Sequence, residues 1–191
     1  MAASEFSGDL VAVWELALSD KLHRIEFEHG TTTGKRVIRV DGKEVHRQDW
    51  MFKLVGKNAF RVNDTNCVVH INAVNGFAYE YTLVVGGKTL KKFRENMRHN
   101  LRTWIATVNG RNTRIVYEKD TCDVWVNGQK VDTAGQFGDD DDDGAATHFE
   151  IPGAPDYTAF IKAVSSGKQR QGIIHILMIN GQQIPEAPPD C

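Results

Sequence analysis

The chain has 191 residues, 41% of them hydrophobic and 25% charged, with a formal net charge of −2. That length suits one large domain or two small ones, and so small a charge excludes recruitment of nucleic acid or an anionic membrane by a global field. No run approaches the ~18 apolar residues of a membrane-spanning helix, and residues 1–8 lack the basic-then-apolar order of a signal peptide, so neither is expected.

From Leu10 the apolar pattern has a period of two. Leu10, Ala12, Trp14, Leu16 and Leu18 share one face of an extended segment, whereas a helix would scatter them. Ser19, Asp20 and Lys21 read as a turn. Ile25 and Phe27 then alternate with Arg24, Glu26 and Glu28, the pattern of an antiparallel strand that is dry on one face. Residues 31–34 are turn-like and 37–40 form a β-branched strand. Asp41-Gly42 predicts a tight hairpin into residues 43–47, because both central residues of a type I′ turn need positive φ. Trp50, Phe52 and Leu54 alternate again and predict a further extended segment. Cys67, Val69, Ile71 and Ala73 share a face up to Asn75-Gly76. Phe77, Tyr79, Tyr81 and Leu83 return, and Gly86-Gly87 closes this half. Before that point no helix is expected; residues 91–100 fit a short helix or an extended linker.

The second half resembles the first. Trp104 follows Trp14 by 90 positions, as Ile161 follows Ile71 and Ala163-Val164 follows Ala73-Val74. The hairpin Val40-Asp41-Gly42-Lys43 recurs as Val126-Asn127-Gly128-Gln129, and Val85-Gly86-Gly87-Lys88 as Ile179-Asn180-Gly181-Gln182. Two copies of one β-domain explain this order; they are too few and too long for a solenoid. The expected architecture is therefore all-β, with two tandem antiparallel β-sandwich domains related by an internal repeat. The expected boundaries are a tail at 1–8, a domain at 9–91, a basic linker at 92–101, a domain at 102–186 and a tail at 187–191. Residues 1–90 have net charge 0, 91–103 net +4 and 104–191 net −6. The basic connector reads as a solvated linker.

Several strings carry a family resemblance. Leu10-Val11-Ala12-Val13-Trp14, Ile25-Glu26-Phe27-Glu28-His29-Gly30-Thr31-Thr32 and Trp50-Met51-Phe52-Lys53-Leu54-Val55-Gly56 are similar to the Fas apoptotic inhibitory molecule family. So are Gly76-Phe77-Ala78-Tyr79-Glu80-Tyr81-Thr82-Leu83, Ile161-Lys162-Ala163-Val164-Ser165-Ser166-Gly167-Lys168 and Gly172-Ile173-Ile174-His175. The resemblance runs from about Asp9 to Glu186. It implies two β-sandwich domains and a non-enzymatic cytoplasmic regulator that opposes death-receptor apoptosis. It further implies limitation of stress-induced protein aggregation. The implied partners are other proteins: death-receptor or survival signalling components and misfolded clients. It supplies no catalytic residues. The stretch 1–8 and the length of the acidic run Asp139–Asp143 depart from the family pattern.

The residues themselves propose no site. Asp139, Asp140, Asp141, Asp142 and Asp143 lack the alternating spacing and terminal Glu of a calcium loop and read as a solvated loop. His23, His29, His46, His70, His99, His148 and His175 form no zinc motif. The odd cysteine count points to free thiols in a reducing compartment, cytosol or nucleus. Cys67 alternates with Val69 and Ile71 as a small buried hydrophobe, Cys122 sits near a turn, and Cys191 ends the chain as an exposed thiol. Nucleophile elbow, P-loop and dinucleotide signatures are absent. No catalytic group, cofactor or metal is therefore expected, and no nucleic acid. Trp14 and Trp104 read as core anchors, while Trp50 and Trp125 are left open. A ligand- or carbohydrate-binding sandwich is the alternative, and it would need aromatics exposed in a groove. An exposed sheet edge or apolar patch that captures flexible segments is the physical route expected for a protein-binding role.

Overall fold

The structure is a computed structural model that describes residues 8–76, 78–137, 144–167 and 172–188. The aspartate run and Cys191 lie outside these residues. The chain divides into two compact units: residues up to Leu18 with Leu22–Asn96, and Ser19–Lys21 with Met97 onward.

Unit 1 stacks two antiparallel sheets. Strands β1 (Leu10–Ala17), β2 (Leu22–His29), β3 (Arg36–Val40) and β4 (Lys43–Gln48) form one, in sequence order. Strands β5 (Gly56–Val62), β6 (Thr65–Asn75), β7 (Ala78–Val85) and β8 (Lys88–Thr89) form the other. The inward faces close the core: the predicted Leu16, Leu18, Ile25, Phe27, Cys67, Val69, Ile71 and Leu83 are joined by Ile38, Val85 and the β5 residues Phe60 and Val62. The inward faces are dry because alternate residues of each strand point to one side. Helix α1 (Leu90–Asn100) follows. Leu90 and Phe93 pack against this core, and no residue of the helix is buried.

Unit 2 repeats the plan. Strands β9 (Leu101–Val108), β10 (Arg111–Glu118), β11 (Asp123–Val126) and β12 (Gln129–Val131) form one sheet. Strands β13 (Thr133–Phe137), β14 (Ala145–Phe149), β15 (Ala159–Ser165), β16 (Ile173–Ile179) and β17 (Gln182–Ile184) form a five-stranded second sheet, one strand more than in unit 1.

The repeat reaches individual hydrogen bonds. Trp14 pairs with Ile25, and Trp104 with Ile115. Asp41 N–H donates to Arg24 O while Asp41 Oδ1 accepts from Arg24 N–H at 2.9 Å. Asn127 makes the same two bonds with Arg114. Asp41 and Asn127 have φ of 52° and 49°, the left-handed values that a type I′ turn demands and short polar side chains tolerate.

The copies differ at one edge. In unit 2 the chain after β17 runs along β9: Trp104 bridges to Glu186, and Ala187 N–H donates to Thr103 O. In unit 1 the chain after β8 becomes α1 instead, and Arg94 donates to Glu15 O on the edge of β1. Trp104 is accordingly buried and Trp14 only partly so.

Two sequence expectations need correction. Residues 50–55 are a loop, not an extended strand, because their carbonyls are claimed by a side chain from β3, described below. Strand β5 was not anticipated; its inward set is Asn58, Phe60 and Val62, and a polar residue at a core position broke the apolar alternation. Where helix and linker were both open, residues 90–100 are helical.

Candidate protein-interaction surface

The loop between β4 and β5 is organised from beneath by Arg36, which is 1% exposed. Its guanidinium donates to Asn58 Oδ1 at 3.0 Å, to Lys53 O at 2.7 Å and to Val55 O at 3.1 Å. Burial lowers the Arg36 pKa from its ordinary value, yet a guanidinium stays charged. Asn58 in turn bonds His46 Nε2. On the other side Met51 N–H donates to Thr33 O at 2.9 Å. Gly34, at φ +70°, lets Met51 O approach so closely that a Cβ would stand 2.2 Å from it.

A tightly held backbone thus presents two aromatics to solvent. Trp50 is 55% exposed and Phe52 91%. Their rings meet edge to face, with centroids 4.1 Å apart at 80°. Phe52 is the most exposed large apolar side chain among the described residues. Beside them Arg47 is bound to both oxygens of Glu44 and to Asp49.

The strand edges of unit 1 are less receptive. β4 carries exposed Lys43, Glu44 and Arg47 and a register shift, and β1 has a shift between Leu10 and Ala12. β5 shows Lys57 and Arg61, and β8 has two residues. Charges, bulges and brevity all discourage strand addition. Of the two routes expected from the sequence, patch and edge, this geometry favours the patch.

A polar layer flanks the core of unit 1. Glu28, nearly buried, pairs with Lys35 at 3.0 Å and with Arg39. Burial alone would raise its pKa, but the two cations outweigh burial and lower it. His29 Nδ1 lies 2.9 Å from Tyr81 Oη, against Tyr79 and Phe27. Burial first, and then the Arg36 charge, lower its pKa. Both shifts act in one direction. Below an ordinary imidazole value near 6.5 the unfolded chain binds a proton that folded His29 refuses, and below about 4.5 the same holds for Glu28. Stability should therefore fall on acidification in two stages. Urea midpoints against pH will show His29→Phe reducing the upper stage, to which partly buried His175, also lowered by burial, contributes the same sign, and Glu28→Gln reducing only the lower. A wild-type midpoint constant from pH 7 to about 5 would contradict the His29 assignment.

The remaining sequence candidates are dispersed. Cys67 is buried, its thiol pushed up to about 11, while Cys122 is exposed at a turn. Trp125 is half-buried, its Nε1 enclosed with no hydrogen-bond partner among the described residues. His23 bonds Asp41, His148 packs on Phe160 and His175 on Tyr117. Among the described residues no three His, Cys, Asp or Glu side chains are grouped to hold a metal. Nor is any described helix long and apolar enough to cross a membrane. Sequence reasoning missed Arg36. Its only signal was a cation leading directly into the apolar run Val37-Ile38.

Comparison with known proteins decides the relationship. The family model described as Fas apoptotic inhibitory molecule (FAIM1) matches residues 10–187. The chain belongs to the Fas apoptotic inhibitory molecule family. It is 56% identical over 180 residues to the Bos taurus protein named Fas apoptotic inhibitory molecule 1, covering 93% of this chain and 87% of that one. It is 55% identical to the Mus musculus and Homo sapiens proteins of the same name, covering 93% of this chain and 97% of each. In this family member the Arg36-pinned loop and its aromatic pair lie within the matched span.

Proposed function

We propose that this chain is a non-enzymatic cytoplasmic regulator that opposes death-receptor-mediated apoptosis through contacts with other proteins, and that it also limits aggregation of stressed clients. The observation that carries the reading is the match over 93% of the chain to relatives named as inhibitory molecules of Fas apoptosis. Its partners are signalling proteins for the first role and partly unfolded chains for the second. The Trp50–Phe52 pair supports a contact role, since a rigidly presented aromatic pair is the usual material of a binding hot spot.

Two measurements test it. Cells expressing the full chain and challenged with Fas ligand should die less often than control cells. Light scattering of a heat-stressed client enzyme should fall when the full chain is added at equimolar ratio. Unchanged death and unchanged scattering together would overturn the reading.

A further inference from the structure

We propose that the Trp50–Phe52 pair is a docking anchor for an extended protein segment whose apolar side chains are flanked by acidic ones. This specifies a surface for the contact role above and rests on that reading. Phe52 touches Trp50 but is otherwise left in solvent, yet its loop is held by Arg36, by the Met51–Thr33 bond and by the close approach at Gly34. The ordering cost of a binding loop is therefore met before a partner arrives.

Charge selects the partner. Residues 43–57 hold Lys43, Arg47, Lys53 and Lys57 against Glu44 and Asp49, and Arg47 already engages both carboxylates. Lys53 and Lys57 have no ion-pair partner among the described residues. Arg36 adds a buried charge whose partners are an amide and two carbonyls. Residues 1–90 are neutral in total, so this loop is a local positive pole. An apolar anchor with acidic flanks matches it in both respects. A single-stranded nucleic acid matches it less well. Rings lying at 80° to each other offer no parallel faces on which successive bases could stack.

The test is fluorescence anisotropy of a labelled peptide with a Leu-Phe-Leu centre between glutamate runs, titrated with the full chain. Saturable binding is expected, weakened at least about tenfold in Trp50→Ala/Phe52→Ala. Lys53→Glu should weaken it several-fold and reduce its salt dependence. Both variants alter exposed side chains and should keep the wild-type melting temperature. Absence of wild-type binding, or equal binding by the double variant, overturns the proposal. So does equal competition by oligo-dT. Dimerisation of the chain that is abolished in the double variant would place a second copy on the pair and overturn it likewise. The client assay separates the two claims. If wild type and double variant suppress aggregation equally, the docking assignment falls and the functional reading stands. If neither suppresses it and Fas protection also fails, the functional reading falls and the anisotropy alone decides the docking site.

Discussion

Trp104→Ala is expected to destabilise unit 2 by about 3–5 kcal/mol, the range for truncating a fully buried large aromatic. Trp104 is 1% exposed and packs in one cluster with Ile115, Tyr117, Ile161 and Leu177. The repeat supplies an internal control. Trp14 occupies the corresponding position, opposite Ile25, but is only partly buried, so Trp14→Ala should cost about 1–2 kcal/mol. Among the described residues the segment at Glu186 and Ala187 lies along β9, whereas β1 meets Arg94 of α1 in its place. Urea unfolding followed by circular dichroism measures both without relying on the deleted fluorophore. Equal losses would show that this segment adds nothing to the burial of Trp104.

Arg36→Met should cost unit 1 about 3 kcal/mol while hardly changing the volume that the side chain fills. It strands three acceptors, Asn58 Oδ1 in a buried bond and Lys53 O and Val55 O in partly buried ones; an unsatisfied buried group costs about 1–3 kcal/mol, and less where water can reach it. Relief from burying a guanidinium returns part of that sum. Arg36→Lys should be nearly as damaging, because one ammonium on a flexible stem cannot serve three acceptors arrayed around a planar fork. The distinguishing readout is local. Amide exchange across residues 51–56 should accelerate beyond what the global loss of stability explains, and Trp50 emission should become less anisotropic. A global loss with unchanged loop exchange would mean that Arg36 supports the sheet and not the loop.

Those two residues mark what could be read from the chain and what could not. Trp104 was legible: it recurs 90 positions after Trp14 within an alternating apolar strand, and alternation reports burial directly. The turns at Asp41-Gly42 and Asn127-Gly128 were legible because positive φ restricts the residue types allowed there. Arg36 was not, since its burial depends on acceptors 17, 19 and 22 positions away. Residues 50–54 read as extended, with Trp50 left open, for a related reason. Trp50, Phe52 and Leu54 carry the same period-two signal as a core strand, and periodicity cannot say whether a facing sheet is present to cover them.

By itself, then, the amino-acid sequence determined the β-class of this protein, its internal duplication and its family, because these follow from local patterning and from long matched strings. Tertiary structure alone decided which Trp of the repeated pair is sealed, which polar side chains lie in the core, and that Phe52 faces water. Each of those depends on groups distant in the chain arriving at one place, and local pattern holds no record of that arrival.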